Sequence, residues 1–302
     1  MSDDYASPVV TEKPIDFIGI GAARSGSSWV GNVLRKHPDI CISEPKEVRY
    51  FNRYRIPVGK DKGRLNPNHD QSLEWYFKRF SHARDGQIRG EISPVYLLDE
   101  AAAPAIKNVF PDIRLILCVR NPVKRAYSSY RLHRGLGVIE DITFEQALEQ
   151  ESLYIEMGLY AKQLRRYLEY FNRQQILVVV FEKLIKQPEK EFPRIFEFLG
   201  VSADANIDYS ARDTNESASA RSKTLHRYAF KFSQLLVNSG LSFVLHGLRN
   251  LGVHSLINRI NSAPSRCAPL LPETEMRLMN YFREDIKKLE QMLGVDLSEW
   301  KM

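Results

Sequence analysis

A chain of 302 residues, 43% of them hydrophobic, is long enough for one large α/β domain or two small ones, and its formal net charge is +6. Its aliphatic runs, such as residues 115–119, are far too short to span a membrane, and three scattered cysteines, Cys41, Cys118 and Cys267, exclude a disulfide framework or a cysteine metal site. The odd cysteine count, and an N-terminus without an apolar leader, predict a cytoplasmic protein that begins with a disordered arm over residues 1–14.

Residues 17–20, Phe-Ile-Gly-Ile, are an apolar run that predicts a buried parallel strand. Residues 21–28 are small residues around one arginine, Arg24. Trp29, Val30, Val33 and Leu34 then recur at helical spacing up to His37-Pro38. Strand, small-residue loop and helix have the shape of a phosphate cradle. Glycine lets the backbone approach a ligand, and the bare N–H groups of a first helical turn, with the helix dipole, favour an anion. Gly21 and Gly26 have the spacing of the Walker A loop, G-x-x-x-x-G-K-[ST], but Ser27 stands where its lysine belongs. The loop therefore suits a single 5′-phosphate group with a cation beside it. A ligand-free βα turn is the competing reading.

A short strand over 39–43 leads into a charged irregular loop, Glu44-Pro45-Lys46-Glu47-Val48-Arg49-Tyr50-Phe51, and then a long surface loop over 53–71. Helices are predicted over 73–80, 101–109, 123–134, 144–151, 160–171, 188–199 and 273–293, and strands over 87–91, 114–119 and 176–181. Pro122 near the start of one helix and Gly200 just past the end of another mark boundaries. Met276, Met279, Tyr281, Phe282, Ile286 and Leu289 are the expected core face of the last helix. Strands alternating with helices imply right-handed βαβ crossovers. The fold class is therefore α/β: a P-loop-like parallel sheet with helices on both faces, plus a helical excursion near the C-terminus.

Residues 217–266 hold seven cations and no acid, so this segment carries +7 and the remainder +6 − 7 = −1. A basic segment on a near-neutral body points to an anionic ligand or surface, with a solvated helix face as the bland alternative. Apolar stripes from Leu225 and over 241–251 either pack on the body or lie on a membrane surface as a peripheral contact.

Taken together, the first loop, Arg120 with Ser128, and the last helix resemble the sulfotransferase family that uses 3′-phosphoadenosine 5′-phosphosulfate (PAPS). The likeness is greatest to the heparan sulfate sulfotransferases and their bacterial relatives, and it covers residues 16–300. Ala23-Arg24-Ser25-Gly26-Ser27-Ser28 is similar to the family's K/R-[ST]-G-[ST]-[ST] pattern, which implies that Arg24, Ser25, Gly26, Ser27 and Ser28 hold the 5′-phosphosulfate. Arg24 stands where a lysine is frequent, and a cation there stabilises charge on the leaving oxygen. The resemblance also implies that Arg120 and Ser128 hold the 3′-phosphate, a role that suits an arginine at the carboxyl end of a parallel strand.

The loop from Lys46 to Phe51 resembles the family's E-V-x-F-F segment, which makes Glu47 the catalytic base. Glu44 and Glu91 are the next candidates for that role. Ser219-Ala220-Arg221-Ser222-Lys223 loosely resembles the late nucleotide-binding loop and adds Arg221 and Lys223 to the cofactor site. The family's E-K-T-P lysine is replaced by Ile92 in Glu91-Ile92-Ser93-Pro94, with Lys46 or Arg49 as substitutes for its charge.

The implied activity is in-line transfer of a sulfuryl group from PAPS to an acceptor hydroxyl or amine, on a small molecule or a carbohydrate. It needs no metal and no nucleic acid. The implied organisation is one domain over 15–302, with a lid-like helical segment at about 217–266. Two rivals stand beside it. One is a catalytically inactive nucleotide-binding scaffold on the same fold. The other is an ATP-dependent small-molecule kinase, which the missing Walker lysine disfavours.

Overall fold

The computed structural model describes residues 14–54, 64–203, 205–209, 219–220, 262–263 and 267–300. The chain divides into two compact units. The first is drawn from Met1–Arg55, Leu65–Arg120 and Lys162–Arg212, the second from Ile56–Arg64, Asn121–Ala161 and Asp213–Met302.

The first unit holds five strands, β1 (Phe17–Gly21), β2 (Ile40–Ile42), β3 (Ile88–Ile92), β4 (Arg114–Val119) and β5 (Ile176–Val180). They pair in the order β2-β3-β1-β4-β5, each pair parallel. A two-stranded antiparallel ladder in the second unit joins β6 (Ser219–Ala220) to β7 (Ser262–Ala263). The helices described are α1 (Ser27–Lys36), α2 (Leu73–Phe77), α3 (Ala102–Val109), α4 (Pro122–Gly135) and α5 (Phe144–Gln150). After them come α6 (Leu153–Glu156), α7 (Tyr160–Leu168), α8 (Phe181–Lys186), α9 (Pro188–Leu199) and α10 (Pro272–Leu293).

The strands read as continuous apolar runs because both sheet faces are covered. One face presents Phe17, Ile116, Cys118 and Val179. These pack with Trp29, Val30, Val33 and Leu34 of α1, Leu184 of α8, and Phe192, Ile195, Phe196 and Leu199 of α9. The alternate residues Ile18, Leu115, Leu117 and Val119 are buried as completely on the other face. Local signals set the helix ends. Asn121 caps α4, its Oδ1 accepting from the Val123 and Lys124 amides with Pro122 in the first turn. Gly200 at φ 75° ends α9, and Gly294 at φ 63° ends α10.

Most predicted elements are present within a residue or two. The stretch expected as one helix over 73–80 is α2 followed by a 3₁₀ turn, Lys78–Phe80. Helix α7 stops at Leu168, three residues short of its expected end at 171. Phe181 opens α8 instead of ending β5. On α10 the expected core face is corrected. Leu278, Phe282, Ile286, Leu289 and Leu293 are buried, whereas Met276 is 66% and Tyr281 58% exposed. The buried set steps by four, four, three and four residues, and both exposed residues fall off that stripe. Within the second unit, the Asn121 side-chain amide donates to the Trp300 carbonyl, which ties the C-terminal turn to the start of α4. Residues 1–13 and the stripes from Leu225 and over 241–251 lie outside the described residues. Among the described residues, no helix is long and apolar enough to cross a membrane.

The sheet centre tolerates no extra volume at Gly90, where a Cβ would come within 2.4 Å of the Phe17 ring across the β1–β3 pairing. Gly90→Ala should therefore destabilise the protein by about 1–3 kcal/mol, seen as a lower urea midpoint with an unchanged slope. An unaltered midpoint would show that Phe17 moves aside without strain.

Candidate functional site

Strand β1 lies between β3 and β4. The chain leaves it toward β2 and later returns on its other side at β4. The carboxyl ends of β1 and β4 therefore flank a topological switch point, where open α/β sheets bind ligands. The register slips by one residue between Gly19 and Gly21, and the Ala22 amide then donates to the Cys118 carbonyl at 2.6 Å. This bond holds the loop after β1 against the end of β4.

Arg24 sits at φ 68° and Gly26 at φ 90°, so the loop turns sharply before α1 begins. A Cβ on Gly26 would lie 2.6 Å from the Phe181 ring. Glycine is thus needed here for its left-handed backbone and for the close approach. The first turn of α1 has no side-chain cap and no acidic residue. Ser25 is fully buried, and its Oγ has no hydrogen-bond partner among the described residues. A stranded buried hydroxyl beside bare helix amides suits an anion of the phosphate class, because such a group otherwise carries a desolvation penalty.

Arg120 follows β4. Its Nη1 donates to the Arg24 carbonyl at 3.3 Å, and its guanidinium lies 4.8 Å from the centre of the Phe181 ring. Phe181 therefore supports both the glycine turn and the arginine. Nothing in the local sequence marks it, because it reads as the last residue of an apolar strand.

The charged loop after β2 approaches the same cradle. Lys46 Nζ donates to Ser28 Oγ at 3.2 Å and lies 3.4 Å from Glu47 Oε1. Arg49 donates twice to Glu47 Oε2, from Nη2 at 2.6 Å and Nε at 3.1 Å. Burial acts to raise the Glu47 carboxyl, but the charges of Arg49 and Lys46 and their hydrogen bonds outweigh it and hold the group below its ordinary 4.5. Glu47 is accordingly a carboxylate at neutral pH, with 28% of its side chain exposed. Ile92, at the place of the absent lysine, is buried. Its Cδ1 and the Lys46 stem converge over Gly31, at 3.1 and 3.0 Å from where a Cβ would stand. The Lys46 stem thus packs on the same glycine as Ile92, while its ammonium reaches Ser28 and Glu47.

The first unit therefore brings together Arg24, Ser25, Gly26, Ser27, Ser28, Lys46, Glu47, Arg49 and Arg120. Ser128, half-buried on α4, belongs to the second unit. Arg221, Lys223 and most of the basic segment 217–266 lie outside the described residues. The two alternative bases separate clearly: Glu44 is exposed, whereas Glu91 is fully buried at the end of β3.

Residues 14–232 match the family model described as Sulfotransferase domain. The chain is 30% identical over 190 residues to human heparan sulfate glucosamine 3-O-sulfotransferase 3B1, a match covering 60% of this chain and 45% of that protein. It is 32% identical over 191 residues to mouse heparan sulfate glucosamine 3-O-sulfotransferase 6, covering 60% and 51%. The chain spans about half the length of these curated relatives. The crystal structure of a sulfotransferase from Alicyclobacillus acidocaldarius superposes with a TM-score of 0.69 at 26% identity, covering 96% of this chain and all of that one.

The ion pairing around Glu47 is open to a direct check. Arg49→Met removes a charge and two hydrogen bonds from the carboxylate but leaves the Arg49 backbone bonds available. The Glu47 carboxyl should then titrate at a higher pH than in the parent, read from its side-chain carbon resonance. An unchanged titration would mean that Arg49 does not hold the group down.

Proposed function

Because the chain belongs to the sulfotransferase family that uses PAPS, we propose that it moves a sulfuryl group from that donor to an acceptor hydroxyl or amine, with Glu47 as general base. The observation that supports this most is the position of Lys46, bonded to Ser28 of the cradle on one side and paired with Glu47 on the other. One lysine thus separates the anion cradle from the carboxylate. Donor and acceptor ends of a single displacement must lie about that close.

The donor supplies an activated sulfuryl group on its 5′-phosphate. In the displacement, the bond from sulfur to the bridging phosphate oxygen breaks as the acceptor oxygen or nitrogen bonds to sulfur. The phosphate leaves with the electron pair. Glu47 takes the acceptor's proton, since a neutral hydroxyl is a weak nucleophile. Arg24, Lys46 and the first amides of α1 face the phosphate oxygens on which charge builds, and fixed donors need no rearrangement at that moment. Lys46 supplies the cation for which position 92 has only an isoleucine side chain. Arg120 and Ser128 hold the 3′-phosphate in this reading, and Arg221 and Lys223 add charge to it. The names of the relatives favour a carbohydrate hydroxyl as the acceptor.

Glu47→Gln keeps size and polarity but cannot take the proton. Turnover with PAPS and a panel of carbohydrate and small-molecule acceptors should fall by about 10²–10⁴-fold in kcat. The affinity for 3′-phosphoadenosine 5′-phosphate, measured by calorimetry, should stay within about twofold. Near-normal kcat in the variant would place the base elsewhere.

Chelation gives a second outcome. The charge stabilisation assigned here comes from side chains and amides, so turnover should survive EDTA. Loss of activity restored by Mg²⁺ would instead favour phosphoryl transfer from a metal-bound nucleotide.

A further inference from the structure

The Glu47 loop has no helix or strand hydrogen bonding of its own, so its backbone groups must find other partners. The N–H groups of four successive residues all end on one buried cluster. Val48 N donates to Glu91 Oε2 at 3.1 Å and Arg49 N to Ser93 Oγ at 3.0 Å. Tyr50 N and Phe51 N both donate to the Tyr96 hydroxyl oxygen, at 2.7 and 3.3 Å. Ser93 and Tyr96 in turn donate to Glu91, at 2.6 and 2.9 Å, and the Tyr76 hydroxyl donates to it at 2.9 Å. On the carbonyl side, Asn68 donates to Val48 O and Asn66 to Arg49 O.

Glu91 is the node of this network. Its carboxylate accepts two hydrogen bonds on each oxygen, which fills its acceptor capacity. The carboxyl is fully buried and, among the described residues, no cation is bonded to it, so its ionised form rests on these four donors. Three of them also hold the loop. Val48 N belongs to it, Ser93 Oγ accepts from Arg49, and the Tyr96 oxygen accepts from Tyr50 and Phe51. The Tyr76 hydroxyl alone touches Glu91 without touching a loop amide.

We propose that Glu91 is a positioning residue for the reaction, its ionised carboxylate clamping the backbone of residues 48–51 so that the Glu47 side chain is held beside Lys46 and the cradle. The inference rests on the assignment of Glu47 as the base, and it replaces the idea that Glu91 is itself an alternative base. A proton on Glu91 would point at a group that is already donating. Tyr76 can turn round to accept it without releasing a loop amide, but the bonds from Val48, Ser93 and Tyr96 then lose their charge assistance, so protonation loosens the clamp.

Burial pushes the Glu91 carboxyl up to about 7, against the lowering effect of the bonds from Ser93, Tyr96, Tyr76 and Val48. The titratable groups facing it are Tyr76 from α2 and Tyr96 from the turn after β3, both raised well above the ordinary tyrosine value by burial and by Glu91 itself. Neither therefore ionises near neutrality. Glu47, held below 4.5, is already ionised there. An acid limb of kcat near pH 7 then belongs to Glu91, with activity falling as pH drops through that value.

The test combines amide exchange with kinetics on the full chain. In Glu91→Gln, exchange of the Val48 to Phe51 amides should accelerate at least tenfold, while the β1 and β4 amides keep their protection. Its kcat should fall at least tenfold, with the affinity for 3′-phosphoadenosine 5′-phosphate within about twofold, and the limb near pH 7 should vanish. Should Glu91→Gln not fold, Tyr76→Phe decides. It removes one donor to the carboxylate, so the acid limb should move to higher pH while kcat on the plateau is kept. Unchanged amide protection in a folded Glu91→Gln, or an unmoved limb in Tyr76→Phe, overturns the proposal. If the parent turns over no acceptor, the reading of function fails, and the exchange measurement still decides whether Glu91 clamps the loop.

Discussion

The pairing of β1 with β4 continues one bond past the end of β1, from the Ala22 amide to the Cys118 carbonyl, and the placement of the anion cradle depends on that bond. The slip in register at Gly21 releases β1 from the sheet just where the chain must turn. The glycine turn and the strand-end arginine then stand at neighbouring strand ends, with the Phe181 ring packed against both. A side chain at Gly26 would break this arrangement twice, through its backbone and through the ring below it. The neighbouring Ser25 hydroxyl and the uncapped amides of α1 are left facing the switch point.

Two carboxylates of the first unit are driven in opposite directions by their surroundings. Glu47 is partly exposed between Lys46 and Arg49, and paired charge keeps it ionised. Glu91 is fully buried and has hydroxyls and an amide in place of cations, so burial pulls it toward neutrality. Environments that separate two like groups in this way assign them different tasks. The exposed one is accessible to an acceptor's proton. The buried one organises backbone. Lys46 connects the first of them to the cradle, so a single ammonium is shared between the Ser28 hydroxyl and the Glu47 carboxylate.

The second unit has its own organising point at Asn121. One side chain caps α4 with its oxygen and holds the Trp300 carbonyl with its nitrogen. The C-terminal turn is thus part of what fixes the start of the helix that carries Ser128. Trp300 is almost fully buried. Shortening the chain by a few residues at this end would therefore remove core as well as tail.

The elements legible in the sequence were those whose signals are local. An apolar run followed by glycines and a 3.6-residue period specified β1 and α1 almost to the residue. Charge at both ends bounded β4, and Gly200 and Pro122 marked helix ends because left-handed backbone and a missing N–H act where they stand. The parallel sheet followed from alternation, and motif likeness singled out the glycine loop, Glu47 and Arg120, which the first unit brings together. Other features depended on residues far apart in the chain. Lys46 meets Ser28 across 18 positions, Val48 meets Glu91 across 43, and Phe181 reaches a loop about 150 residues earlier. No periodicity encodes such meetings. Only the closed fold determines which buried polar groups satisfy one another, and which apolar residues of α10, such as Met276 and Tyr281, are left facing solvent.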